Sequence, residues 1–251
     1  MTLRIITASL IVAMAAIASH AKGLTEDLNH NVRLGYSIGG TAPVGMPATI
    51  RKLNSYDFQP NISFCFDVQK TIYGRFGVLT GLHLENKGMK VDATVKNYHM
   101  EIEQDGNTLQ GYFTGRNITK VEEWLITLPI MATMQLGKGV MLKLGPYVSY
   151  VMSKDFEGEV YNGYLRNNTP TGTKINFGTE SDERGTFDFS SDMRHWQVGI
   201  DFGADWYFCR RWGVYADITW GVTGIHKSDF KTIEQTLYPI FGTLGVTYKL
   251  K

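Results

Sequence analysis

Beyond residue 22 the sequence has no apolar run approaching the roughly 20 residues of a transmembrane helix. A mature chain in a membrane would have to cross as strands, because lipid satisfies backbone groups only in helices or closed barrels. Cysteine is scarce, with only Cys65 and Cys209. Cys65 falls on the polar face of a strand and Cys209 in a tight turn, so no disulfide is supported. Charge of one sign is also missing: Lys+Arg 25 against Asp+Glu 24 leaves +1, which suggests no polyanion partner and no nucleic acid. The histidines stand singly, without metal-ligand spacing. No glycine loop leads from a strand into a helix as a phosphate cradle needs. Neither a metal nor any other cofactor is expected.

What is present begins with Arg4, an apolar run from Ile5 to Ile17, and Ser19-His20-Ala21, with small residues where a signal peptidase reads. A signal peptide over 1–21 is expected, leaving 22–251 as one domain. The residue directly after that cleavage point is Lys22 and not a cysteine, which argues against a lipoprotein anchor.

The stretch from His195 to Ile225 organises the rest. Trp196, Val198, Ile200, Phe202, Ala204, Trp206 and Phe208 alternate with Gln197, Gly199, Asp201, Gly203, Asp205 and Tyr207. After a turn at 209–211 the pattern resumes, with Trp212, Val214, Ala216, Ile218, Trp220 and Val222 on the apolar face. This is a hairpin with a greasy face and a face of glycines and short acids. Tryptophans bracket the greasy face at both ends, as the outside of a membrane barrel requires.

The same alternation predicts strands over 32–39, 58–69, 75–85, 121–136, 140–152 and 238–250, which with the hairpin makes eight. Pro146 is expected to mark a bulge. Short turns lie at 70–74, 137–139 and 209–211, and long loops at 40–57, 86–120, 153–193 and 224–235. Met89, Val91, Ala93 and Val95 suggest that one strand continues beyond the bilayer. The fold expected is an all-β, eight-stranded antiparallel transmembrane up-and-down β-barrel with long extracellular loops and short periplasmic turns. The interface aromatics are Trp124, Tyr150, Trp196, Trp220 and Tyr238 at the long-loop end, and Trp206, Trp212 and Tyr248 at the other.

Trp124-Leu125-Ile126-Thr127-Leu128-Pro129-Ile130, a glycine turn, and Leu144-Gly145-Pro146-Tyr147-Val148-Ser149-Tyr150 together resemble the PorT-like outer-membrane β-barrel family common in Bacteroidetes. Val198–Asp205 and Leu244–Tyr248 are similar to that family too. The resemblance implies a porin-like barrel in a Gram-negative outer membrane, and one branch of the family serves protein secretion.

Arg33, Asp67, Arg75, His83, Glu85, Glu123, Lys143, Asp201, Asp205, Asp217 and Lys249 fall on the lumen face. Eight strands enclose only enough room for side chains, so these groups are expected to pair as a polar core, with Asp67 and Arg75 meeting across the 70–74 turn. The long loops point to a membrane-anchored scaffold or binding module, in contact with outer-membrane lipid and an envelope or secretion protein. Two alternatives are a small porin-like channel and a lipid hydrolase using His226, Ser228 and Glu234. No catalytic residue is expected on the preferred reading.

Overall fold

The computed structural model describes residues 28–250 apart from 46, 105 and 234; the expected signal peptide lies outside the described residues. Eleven strands follow one another: β1 (Leu28–Pro43), β2 (Ile50–Asp57), β3 (Ile62–Tyr73), β4 (Phe76–Gln104), β5 (Asn107–Gln135), β6 (Val140–Asn167), β7 (Lys174–Phe177), β8 (Gly185–Asp188), β9 (Trp196–Tyr207), β10 (Trp212–Gly221) and β11 (Leu237–Lys249). All pairings between them are antiparallel. β1, β3, β4, β5, β6, β9, β10 and β11 pair in that order, and β11 returns to β1 to close the ring. These eight are the strands that the alternation picks out.

The ring is inside-out relative to a soluble protein. Leu34, Ile38, Phe64, Ile130, Phe202 and Leu244 point outward and are exposed, while Arg33, Asp67, Lys143 and Asp205 are buried within. Burying charge while exposing aliphatics is unfavourable in water, and hydrocarbon outside the ring reverses that balance. From Trp196 to Trp206 is roughly 33 Å of strand, which a tilt of about 40° reduces to about 25 Å, the height of such an apolar band. At the short-turn end, Leu79, Met131 and Met141 fill the interior.

Several expected loops are instead strand. Residues 86–120 form the far half of a hairpin between β4 and β5, paired down to Gln104↔Asn107 and turned at Gly106, whose φ is +74°. β6 runs on to Asn167 through more than a third of the expected 153–193 loop, which also supplies β7 and β8; the 40–57 loop supplies β2. β2 joins the edge of β4. β7 and β8 line the free edge of β6, and β8 also touches β4 at Glu103↔Thr186. The result is a β-structured extension with its own apolar core, including Val95, Met100, Ile102, Phe113, Phe156 and Phe187.

Bulges let the strands stay paired over this length. The register shifts between Val95 and Tyr98 and between Thr114 and Arg116. Asn97 takes a left-handed φ of 52° there, which asparagine tolerates better than most residues. Pro146 makes no bulge: Pro129↔Tyr147 and Ala132↔Leu144 keep one register on both sides of it. Its missing N–H interrupts the ladder without shifting it.

Candidate functional site

Two surfaces qualify: the lumen and the extension above it. In the lumen, period-two pairing brings alternate residues of β1, β3, β6, β9 and β10 to one point. Arg33 reaches Asp67 at 2.9 Å, Asp205 at 2.9 Å and Asp217 at 3.3 Å. Lys143 reaches Asp205 at 2.9 Å and Asp217 at 2.8 Å. His83 Nε2 lies 2.8 Å from Asp67. Tyr215 underlies both cations, with Arg33 at 5.0 Å and Lys143 at 5.2 Å from its ring centroid. Gly203 faces Asp217, and a Cβ there would overlap the carboxylate and Lys143. The glycines of the lumen face make room for this network.

Nearer the long end, Glu85 accepts a hydrogen bond from Thr127 at 2.7 Å and pairs with Lys87 at 3.3 Å. Glu123 accepts from Gln197 at 2.7 Å. Asp201 is buried beside these groups without an ion pair among the described residues. Lys249 sits at the barrel's lower rim, 3.8 Å from the Tyr207 ring centroid. Arg75 is the correction: it is an exposed turn residue, and Gly81, not Arg75, stands opposite Asp67. Lys87, Gln197 and Tyr215 were missed. Lys87 lies one two-residue step past Glu85, inside what the sequence presents as a fading strand.

The outward aromatics lie where the alternation puts them. Trp124, Tyr150, Trp196, Trp206, Trp212 and Trp220 are exposed, and Tyr238 and Tyr248 are half-buried. Tyr150 stands opposite Trp196, with ring centroids 5.1 Å apart. At the other end Trp212 stands opposite Tyr248, at 4.7 Å.

In the extension, Asp92 is held by Arg116, by Tyr161 at 2.9 Å and by Asn54 at 3.2 Å. Burial raises its carboxyl, but these bonds outweigh that and leave it below the usual range. The expected hydrolytic trio does not assemble. His226 is buried between Phe156 and Phe230, at 4.8 Å and 4.5 Å, and burial pushes its pKa down to about 4. No hydrogen bond joins it to the exposed Ser228 among the described residues, and Glu234 lies outside them. No three His, Cys, Asp or Glu converge as metal ligands among the described residues.

Comparison with known proteins supplies one match in sequence. The family model described as outer membrane protein beta-barrel domain matches residues 18–227. No curated protein matches. Among solved structures, Ail, the attachment invasion locus protein of Yersinia pestis, crystallised with the heparin analogue sucrose octasulfate, is 10% identical. The match covers 89% of this chain and 99% of that one, with a TM-score of 0.39. The translocator domain of the autotransporter NalP from Neisseria meningitidis is 11% identical over 98% of this chain and 97% of that one, with a TM-score of 0.25.

Proposed function

Because the chain belongs to the outer membrane protein β-barrel family, we propose that it is a non-conducting, non-enzymatic anchor in a Gram-negative outer membrane. Its extension binds an envelope or secretion protein outside the cell. The observation that carries this reading is the continuity of β4, β5 and β6 from the barrel into the extension, which has a dedicated apolar core. Connections need only about 4 to 6 residues. Ordering far more chain costs conformational entropy, and a packed, bulged sheet offsets that cost only if its shape has a use. The charged network and the Leu79–Met131–Met141 cluster occupy the lumen and count against a channel. Short turns on the opposite side support an extension that faces the cell exterior. The Leu128-Pro129-Ile130 and Leu144-Gly145-Pro146-Tyr147 segments support the narrower reading of a PorT-like barrel of Bacteroidetes, with residues 1–21 as its export signal.

The test is cross-linking in living cells from a photoreactive residue at position 168, the exposed turn after β6, followed by mass spectrometry. One reproducible envelope protein is expected. A set of cross-links no different from that of an unrelated eight-stranded barrel overturns the reading.

A further inference from the structure

The barrel wall changes character where β3 begins. β1 pairs with β3 only as far as Tyr36↔Ile62, yet it continues beside β11 to Pro43. β2 takes the place of β3 along β4 and has no ladder to β1. Over residues 38–43 the wall is therefore a seam. Among the described residues two hydrogen bonds cross it: the Tyr56 hydroxyl donates to the Gly39 carbonyl, and the Thr41 N–H donates to Met89 Sδ at 3.1 Å.

Behind the seam lies a cavity of about 310 Å³, walled by Met89, Val95, Met100, Phe156, Phe187 and Leu237 among others. Among the described residues no Asp, Glu, Lys, Arg or His lines it. Of its few polar walls, Thr119 donates to Asn117 at 3.4 Å. An apolar cavity of about 150 Å³ stays dry and takes up apolar molecules, because water needs two to four polar partners. At the mouth, Ala42, Leu53, Tyr56 and Ile240 are exposed. Ile240 stands opposite Trp220 in the ladder, so the opening faces sideways at the level of the upper aromatic belt, where hydrocarbon chains end and headgroups begin.

We propose that this cavity is a binding site for a single hydrocarbon chain, which enters through the seam from the outer leaflet. A lipid acyl tail and a free long-chain fatty acid share this chemistry. The site depends on the membrane position of the barrel but not on a protein partner, so the cross-linking result moves independently of it.

The test uses the full chain trapped in amphipol and a fluorescent polyene fatty acid as probe, offered once as the free acid and once esterified in a phospholipid vesicle. Ala93→Phe fills the cavity from within, and Ala42→Trp obstructs its mouth without entering the core. Ile130→Trp, elsewhere on the outer face, is the control. Saturable binding is expected for the wild type and the control, with at least ten-fold weaker binding in both cavity variants. All should keep the heat-dependent gel mobility of a folded barrel. Saturation by the free acid alone assigns the site to fatty acids, and saturation by the ester alone assigns it to lipid tails. Equal binding by wild type and Ala42→Trp, or no saturable binding of either probe, overturns the proposal, and Ala42→Trp decides alone if Ala93→Phe does not fold.

Discussion

Arg33 is a single guanidinium facing three carboxylates, and all four groups are buried. Its planar fork and fixed charge suit it to that task better than an ammonium would. Forming such a network gains little net energy, because desolvation offsets attraction, but removing one member leaves the others buried and unmatched. Arg33→Met should therefore lower the stability of the folded barrel by about 3 to 5 kcal/mol. Arg75→Ala, in the exposed turn, should change it by no more than about 0.5 kcal/mol. Urea titration of the two variants in the same lipid checks this, and equal midpoints would show that Arg33 is not buried as described. Most of the lumen network was legible because strand parity alone assigns a face. Arg75 was misplaced because parity loses meaning where the chain turns away from the ladder, and Tyr215 was overlooked because a phenol among acids does not announce a cation platform.

At the scale of elements, the barrel half was readable and the extension was not, for a physical reason. Below the upper belt the inward face of β4 carries His83, Glu85 and Lys87; above it the same face carries Met89, Val91, Ala93 and Val95. The polarity of a face thus inverts along one strand as its surroundings change from lipid to water, and bulges then shift the parity by one residue. A period-two pattern sought over the whole stretch cancels itself. The extension also has an element sensitive to acid. His226 is buried neutral, with a folded pKa of about 4 against an ordinary 6.5, and only Asp192 works against that shift. A depressed folded value means that the unfolded segment binds the proton more tightly. The contribution is therefore present above the ordinary value and is lost as pH falls from there toward about 4. Between pH 7 and pH 5 the packing around His226 should weaken by about 2 kcal/mol. Asp92 loses its bonds only at lower pH, because its titration lies below the ordinary carboxylate range. Hydrogen exchange across 185–193 and 224–233 should accelerate at pH 5 after correction for intrinsic rates, and His226→Phe should abolish the difference. An unchanged protection pattern in the wild type would place His226 in water.

At the scale of the molecule, everything proposed for the extension depends on which way the barrel sits. The chain makes its short turns on one side, at Gly74, between Gly137 and Gly139, and at 208–211, and sends β4, β5 and β6 far out on the other, on the order of 60 Å of strand from Lys87 to Gln104 at about 3.3 Å per residue. A folded extension of this size with its own hydrophobic core needs solvent around most of its surface, and outer-membrane barrels keep their short turns in the periplasm. The native cysteines provide an internal reporter, since Cys65 is buried in the lumen and Cys209 is exposed in a short turn. On intact cells a membrane-impermeant maleimide should leave the wild type unlabelled and should modify it at Cys209 once the outer membrane is permeabilised. In a Cys209→Ser background, Asn168→Cys should label on intact cells and Lys138→Cys should not. The opposite pattern would turn the extension toward the periplasm, and any partner would then have to be sought there. The same purified protein in planar bilayers should show no steady conductance steps, because apolar residues at the base, a charge network above them and the apolar core of the extension fill the interior in series. Widening the base with Met131→Gly and Met141→Gly together should still give no steps while Arg33 and Lys143 remain in place, whereas porin-sized steps in the wild type would mean that the packed lumen opens in the membrane.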